Sequence, residues 1–477
     1  MLDLEDFRKI AHEMVEWICD YHSRIEQLPV RSQAKPGSIF DQLPDSAPES
    51  GETIDRIVAD FDRILLPGMT HWQSPKFFAY FPANASYPSL LAEFLTAGMA
   101  AQCMNWDTSP AAAELEERMM NWIRDAIRLP GDWHGVIHDG ASMATLTAML
   151  TAREKAVNWE INEKGFQRQP AFRLYCSTEA HSSIEKGARI AGFGRKNLVK
   201  IPVDEQLAMN PDLLEKQILS DLSAGLNPLM VVIALGTTGT TAIDPLKRVA
   251  EICNKHGLWL HVDAAYAGTA LLLPEYQWMI DGIELADSFV FNPHKWMFTH
   301  FDCTAYYVRD REALIRTFEI LPEYLKTGPA TEVNNYRDWG IPMGRRFRAL
   351  KLWFVIRNYG LEGIRTRLRE HIALAANLEQ EISRHPSFEI MAPRNLNVVC
   401  FRFRPPQMTH SGEIDRLNIE LERRVNESGA IFFTHTRVSE AYTLRMVIAQ
   451  TYVNERHVSE AWQMIQQCAE KMLLEHR

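Results

Sequence analysis

The sequence has little of what marks secreted, metal-binding or membrane-spanning chains. Its 477 residues hold seven cysteines (Cys19, Cys103, Cys176, Cys253, Cys303, Cys400, Cys468) and no C-x-x-C. That odd, scattered set argues against a disulfide framework or a zinc site, and for reduced thiols in a cytosol. No apolar run approaches the roughly 18–20 residues that a membrane span needs. The start, Met1-Leu2-Asp3-Leu4-Glu5-Asp6-Phe7, lacks the basic residues and apolar stretch of a signal peptide. A cytoplasmic protein with no membrane contact is therefore expected. Positive charge is in deficit: 51 Lys+Arg against 61 Asp+Glu leave −10, with no basic footprint for nucleic acid. Solenoid repeats and low-complexity tracts are absent, as are G-x-x-x-x-G-K-S/T and H-E-x-x-H. Gly192-Phe193-Gly194-Arg195-Lys196-Asn197 begins like a dinucleotide fingerprint but lacks the third glycine and follows a helical stretch. Gly140-Ala141-Ser142-Met143-Ala144 lacks the final glycine of a nucleophile elbow. The 16 histidines show no metal spacing, so no metal is expected.

What is present is ordinary globular composition, 46% hydrophobic and 23% charged. The length allows about two to four domains, or one large α/β body with appendages. Apolar spacing at Phe7, Ile10, Met14, Val15 and Ile18 predicts a helix over 5–25. Residues 28–50, with several prolines and glycines, read as an irregular crossing segment. Further helices are predicted near 52–66, 88–102 and 111–129, the last opened by Ser109-Pro110. Strand-length apolar runs at 134–138, 171–176, 229–235, 258–262 and 287–291 then alternate with helical stretches at 143–158, 183–191, 211–222 and 245–256. This alternation predicts an α/β fold with a mostly parallel sheet and helices on both faces. From about residue 347 the pattern changes. A helix over 347–384, interrupted at Tyr359-Gly360, precedes strands at 397–403 and 442–449 and helices near 411–428 and 455–473, a smaller α+β domain.

In open parallel sheets, ligands bind beyond the C-terminal strand ends. The loops there read Asp139–Ser142, Thr178–Ser183, Gly236–Gly239, Asp263–Tyr266 and Asn292–Trp296, all rich in polar or small residues. Lys295, between His294 and Trp296, can be partly desolvated, which lowers a lysine's pKa and frees a nucleophilic amine. Taken alone it reads first as a surface lysine in a turn. Asp263, 32 positions earlier, can hold a ring N–H⁺ or a metal, or serve as an N-cap or loop aspartate. A lysine that forms a Schiff base and an aspartate on a pyridinium nitrogen are the two protein groups that pyridoxal phosphate requires. Gly140-Ala141-Ser142 offers N–H groups and a hydroxyl to a phosphate, and equally an ordinary capped helix start. His181 can stack on a pyridine ring, act on a substrate, or sit partly buried and hydrogen-bonded.

Three longer stretches go further: His261-Val262-Asp263-Ala264-Ala265-Tyr266-Ala267-Gly268, Ala286-Asp287-Ser288 and Asn292-Pro293-His294-Lys295-Trp296. They strongly resemble the group II pyridoxal-phosphate-dependent amino acid decarboxylases, most of all the aromatic-L-amino-acid (DOPA and tryptophan) decarboxylases. The likeness runs over nearly the whole chain, through His71–Pro75, Tyr80–Pro82, Ala180–Ser183, Phe301–Cys303 and Gly344–Arg348. The resemblance implies an aspartate-aminotransferase-like (fold type I) body in an obligate homodimer, with the active site at the dimer interface. Residues 1–80 would be a helical arm packing on the partner subunit, 81–350 the cofactor-binding domain, and 351–477 the small domain. Lys295 would be the Schiff-base lysine, Asp263 the partner of the pyridinium nitrogen, and His181 the stacking residue. Ala141, Ser142 and Asn292 would hold the phosphate with His294 close by, and Thr238 and Ala265 would line the cofactor. Tyr324, in Pro322–Lys326, matches the mobile-loop tyrosine of the true decarboxylases. Trp72, Ala83, Gln102, Met104 and Gly344 would surround the substrate, and Arg445 would meet its carboxylate.

Around the substrate ring the chain departs from the animal DOPA decarboxylases. Ala83 stands where those enzymes carry a threonine hydroxyl, and Gln102 and Met104 where apolar and aromatic residues usually flank the ring. A flexible methionine admits bulkier rings. Gly344 matches members that accept large indole or catechol rings. The expected activity is decarboxylation of an aromatic L-amino acid to its amine and CO2. Tryptophan and 5-hydroxytryptophan are ranked ahead of DOPA, phenylalanine and tyrosine. Two alternatives stand beside it. An aldehyde synthase of the same family would consume O2, against which Tyr324 and His181 argue. A catalytically silent protein on this fold is opposed by intact Lys295, Asp263 and His181.

Overall fold

The computed structural model describes residues 2–167, 169, 171–320 and 333–475. The chain divides into two compact units, Ala83–Ala373 with Ala392–Val398, and Met1–Pro82 with Leu374–Met391 and Val399–Arg477.

The larger unit is built on strands β1 (His134–His138), β2 (Phe172–Ser177), β3 (Leu198–Ile201), β4 (Asn227–Ala234), β5 (Trp259–Asp263), β6 (Ser288–Phe291) and β7 (Thr304–Val308). They lie in the order β1-β7-β6-β5-β4-β2-β3. Strands β3, β2, β4, β5 and β6 run parallel, and β7 runs antiparallel to both β6 and β1. The fold is α/β with the mostly parallel sheet that the alternation predicts. Every residue of β5, β6 and β7 is buried, as in a sheet covered on both faces. Helices Ala141–Ala156, Ser182–Ile190, Pro211–Ser223 and Leu246–His256 occupy the connections. The third starts where its sequence says it should: Asn210 accepts the N–H groups of Asp212 and Leu213, and Pro211 fills the first turn. Gly236, at φ 83°, closes β4; a Cβ there would lie 2.6 Å from Ala267 Cβ, so the glycine lets the turn after β5 approach the end of β4.

The elements that carry too weak a local pattern to be foreseen include two strands and a helix of the larger unit. Strand β3 has four residues and an exposed lysine, Lys200, at the sheet edge. In β7 a threonine and two tyrosines break the apolar run, although all five residues are buried. The eight-residue helix Arg311–Phe318 starts on Asp310, whose carboxylate accepts the Ala313 N–H.

The smaller unit carries a second sheet of β8 (Phe388–Ile390), β9 (Val398–Phe403), β10 (Thr434–Val438) and β11 (Ala441–Val447), in the order β10-β11-β9-β8. Its first helix, Leu4–Arg24, is capped by Asp3 through the N–H groups of Glu5 and Asp6. The helix predicted over 52–66 stops at Asp60 and passes into wider and tighter turns around Pro67. The expected domain limits shift in two places. Phe78 donates to the Phe432 carbonyl at 2.7 Å and accepts from the Val447 N–H at 2.9 Å, so the N-terminal residues join the C-terminal sheet. The helix Arg348–Arg384 belongs to the larger unit through Ala373, which moves the boundary from 350 to 373. Within that helix Gly360 leaves helical geometry (φ 63°, ψ 165°), where the interruption was expected.

Candidate active site

Three loops at the C-terminal strand ends are tied into one platform. Asp263 is the last residue of β5, only 8% exposed, and its carboxylate accepts the Ala265 N–H at 3.0 Å. After β6, Asn292 caps the short helix Pro293–Trp296, which carries His294 and half-buried Lys295. The Leu235 N–H bonds the Asp263 carbonyl, the Ala264 N–H the Val290 carbonyl, and the Asn292 N–H the Ala265 carbonyl, each at 2.9 Å. The two loops also share an aromatic base, because Tyr266 stacks on Trp296 with centroids 5.1 Å apart and planes at 9°. Asn84 fastens the lysine's backbone from outside: its carboxamide donates to the Lys295 carbonyl at 2.7 Å, and its N–H to the His294 carbonyl at 3.0 Å.

His181 comes from the loop after β2, where it caps the helix Ser182–Ile190. Its Nδ1 accepts the Ser183 N–H at 3.2 Å, which puts the proton of the neutral ring on Nε2. Burial lowers its pKa, while Asp263 raises it and Lys295 lowers it. Burial raises the pKa of Asp263, and Lys295, the Ala265 N–H and His181 each pull it down again. The three groups thus act on one another's charge, as members of one electrostatic cluster. Buried His294 stays neutral, its pKa pushed to about 3 by burial first and by Lys295 next, and its Nδ1 accepts the Cys303 N–H at 2.9 Å.

Ala141 and Ser142 are the first two residues of the sixteen-residue helix Ala141–Ala156, with Gly140 at its cap and no acidic residue in its first turn. First-turn N–H groups have no acceptor within their own helix, so this end suits an anion. Asn292 accepts the Thr304 hydroxyl at 2.8 Å through Oδ1. Thr238 is exposed on the loop after β4, and Ala265 and Ala83 are half-buried.

Gln102 and Gly344 come together in the larger unit, and Met104 lies in the same unit. Gln102 Oε1 accepts the Arg345 N–H at 2.8 Å, and the Met104 carbonyl accepts the Arg337 N–H at 2.8 Å. Trp72 and Arg445 belong to the smaller unit. There Trp72 lies parallel to Tyr80 (5.9 Å, 21°), and Arg445 donates to the Tyr80 carbonyl at 2.7 Å with its guanidinium 4.7 Å over the Phe81 ring. Tyr324 lies outside the described residues.

Several supporting residues carry no local signal in the sequence. Asn84 is 211 positions from Lys295. Trp296 Nε1 donates to His371 Nδ1 at 3.0 Å, and nothing in the pattern of a long helix marks that histidine. Asp244, its pKa raised to about 6 by burial, accepts the N–H groups of Ala234 and Met209 at 2.7 Å each and fixes the end of β4.

The donor set fits a flat, cationic heteroaromatic ring with an aldehyde and a phosphate: an amine, a buried carboxylate, a neutral imidazole and a helix N-terminus. Residues 36–404 match the family described as pyridoxal-dependent decarboxylase conserved domain. The chain is 42% identical to phenylacetaldehyde synthase of Arabidopsis thaliana, over 99% of this chain and 97% of that protein. Its identity to tyrosine decarboxylase 2 of Narcissus pseudonarcissus is 41%, over 99% and 95%. The crystal structure of Oryza sativa TDC with PLP and tryptamine superposes with a TM-score of 0.95 at 34% identity, over 99% of both chains.

Proposed function

The chain belongs to the pyridoxal-dependent decarboxylase family, and on that footing we propose that Lys295, Asp263 and His181 are the groups through which it works. It is a pyridoxal-phosphate-dependent carboxy-lyase of fold type I acting on aromatic L-amino acids. The observation that supports the residue assignment is that Asp263, Lys295 and His181 all stand at the C-terminal ends of parallel strands of one sheet, β5, β6 and β2, near enough to act on one another's charge.

Bound pyridoxal phosphate supplies a sink for the electron pair left on the substrate's Cα when CO2 departs. The chain's own residues do the rest. Lys295 would hold the cofactor through its ε-amine, the one amine among these three groups. Asp263 would keep a proton on the ring nitrogen, a task for which a buried carboxylate suits it. His181, neutral at working pH, covers the ring face and excludes water. The first N–H groups at Ala141 and Ser142, with the Asn292 side chain, receive the phosphate; Thr238, Ala265 and His294 complete the walls. Tyr324 returns a proton to Cα.

Tryptophan and 5-hydroxytryptophan are the favoured substrates, ahead of DOPA, phenylalanine and tyrosine. A bare glycine at 344, a flexible Met104 and an Ala83 without a hydroxyl support that order; Trp72 and Arg445 are assigned to the substrate ring and carboxylate. The Arabidopsis relative named for an aldehyde product gives the oxidative reaction standing as the second reading. A homodimer is supported by the helix Tyr87–Met99, whose Tyr87, Leu91, Phe94, Leu95 and Met99 form an exposed apolar face, and by exposed Gln102 and Gly344. The N-terminal helix, with Leu4 and Phe7 exposed, would serve as the arm on the partner subunit. Seven free thiols support a cytoplasmic setting. Among the described residues no helix is long and apolar enough to cross a membrane.

The test is to load the purified protein with pyridoxal phosphate, offer the five amino acids in turn, and measure CO2, amine and peroxide together. Amine equal to CO2, highest with tryptophan, is expected. Peroxide in step with CO2 would establish the aldehyde-forming reading instead.

A further inference from the structure

We infer that His261 is a positioning residue: hydrogen-bonded across to Thr145, it sets the distance between the seat of the cofactor's phosphate and Asp263. The inference rests on the pyridoxal-phosphate reading above. His261 stands in the middle of β5 and Thr145 in the helix Ala141–Ala156, and both are fully buried. His261 Nε2 lies 3.2 Å from the Thr145 hydroxyl. Its Nδ1 lies 2.8 Å from the hydroxyl of Ser288, the residue opposite it on β6. That same hydroxyl oxygen accepts the Trp259 Nε1–H at 3.0 Å. Both ring nitrogens are engaged, so the ring is held at two edges. Burial pushes its pKa down to about 3, and it serves as a neutral hydrogen-bonding strut, not as a charge.

What the strut joins follows from the topology. Strand β1 runs antiparallel to β7, β7 antiparallel to β6, and β6 parallel to β5, so β1 and β5 point the same way. The helix Ala141–Ala156 begins after β1 with only Asp139 and Gly140 between, and packs back along the sheet. Its N-terminus therefore lies at the C-terminal strand ends, beside Asp263. From Thr145 back to Ala141 is one turn, about 6 Å by helical rise. From His261 to Asp263 is two residues, about 6.6 Å along the strand, and alternation puts both side chains on one face of the sheet. The phosphate seat and the ring-nitrogen partner thus stand at about the same height above the hydrogen bond that ties their two elements together. A ligand gripped at both ends gains from the second grip only when the separation is right. Either half of the ligand, offered alone, is indifferent to that separation. A residue that merely held the core together would weaken whole and halves alike.

The experiment compares three ligands on the full chain freed of cofactor: pyridoxal phosphate, pyridoxal and inorganic phosphate. The first two are titrated by absorbance, and the third by its competition against pyridoxal phosphate. Thr145→Val keeps the side chain's shape and removes its hydroxyl; Thr145→Ser keeps the hydroxyl. Thr145→Val should weaken pyridoxal phosphate about tenfold or more while pyridoxal and inorganic phosphate stay within about twofold, and Thr145→Ser should stay within about threefold of wild type for all three. His261→Ala should repeat the valine pattern; if it does not fold, the Thr145 pair decides alone. A loss shared equally by pyridoxal phosphate and pyridoxal would show that the bond only holds the core. An unchanged affinity for pyridoxal phosphate, or equal losses in the valine and serine variants, would show that it sets no distance. Each of these overturns the inference. The cofactor reading is tested first and on the wild type, where pyridoxal phosphate bound no tighter than pyridoxal would defeat that reading by itself.

Discussion

Replacing Asp263 with asparagine separates what this carboxylate costs the cofactor-free fold from what it contributes once the cofactor is bound. Burial raises its pKa, and the opposing pull of Lys295, the Ala265 N–H and His181 leaves it raised. A carboxyl whose folded pKa lies above its unfolded value withdraws stability once it ionises. The cost is absent below the unfolded pKa of about 3.9, grows as pH rises, and is complete above the folded pKa. Without cofactor, Asp263→Asn should therefore match or exceed the wild-type Tm, with an advantage that grows from acid towards neutral pH. With cofactor the sign reverses. A carboxylate and a ring N–H⁺ at a hydrogen-bond distance of about 3 Å attract by about 5 kcal/mol at an effective dielectric near 20. A neutral amide keeps roughly half of that. The remaining loss of about 2.5–3 kcal/mol is about a hundredfold in cofactor affinity or in turnover. Paired melts with and without cofactor, a cofactor titration by absorbance, and CO2 release measure all three. Turnover and cofactor affinity within about threefold of wild type would show that Asp263 merely caps its loop through Ala265. A clear fall in Tm of the cofactor-free variant would refute the account of its burial.

Lys295→Ala should keep the fold and bind pyridoxal phosphate without the covalent link, losing its absorbance in the visible and its turnover; sustained turnover would mean that another lysine does this work. Glu116→Ala should leave the buried Arg345 guanidinium unpaired at a cost of about 3–5 kcal/mol, which for a unit of about 300 residues is a Tm loss of about 5–8 °C. Glu116→Gln, which keeps an acceptor for the Ile137 N–H, should lose less, and an unchanged melt for both would refute the buried pair. His138, His261 and His294 are all held at about 3 by burial, whereas the unfolded chain takes up their protons near about 6.5. Stability should therefore fall as pH drops below that value, by about 4 kcal/mol for the three between pH ~7 and ~5.5, and denaturant midpoints that do not move across this window would contradict it. Tyr324→Phe should still release CO2 but gain peroxide per CO2, because a phenyl ring cannot return the proton to Cα; a parallel fall in CO2, amine and peroxide would make Tyr324 a packing residue and His181 the next candidate.

The parts of this molecule that were legible in the sequence are those with a local period or a local break in one. Val231 to Leu235 is apolar at every position and lies in or beside β4, a buried central strand; Asn210-Pro211 opens a helix; Gly360 interrupts one. Lys295 and Asp263 were legible for a related reason. Each comes after or closes such a run, and a polar residue where a buried strand ends must face either solvent or a ligand. Their cooperation was not visible locally; it was suggested by the two groups that pyridoxal phosphate requires and specified by the resemblance of the surrounding motifs. What stayed hidden is the support: Asn84 beneath Lys295, His371 behind Trp296, and Glu116 under Arg345 across 229 positions. Such contacts leave no periodic trace, because either partner alone satisfies the pattern of its own element. Gln102 is a case in point. By its place among the motifs it reads as a wall of the substrate ring, yet its oxygen is committed to the Arg345 N–H and its nitrogen faces Gly344. A residue's position in a motif can say that it borders a site. Whether it touches the substrate or positions something that does is decided by where each of its donors and acceptors goes, and that is fixed by long-range geometry rather than by neighbours in the chain.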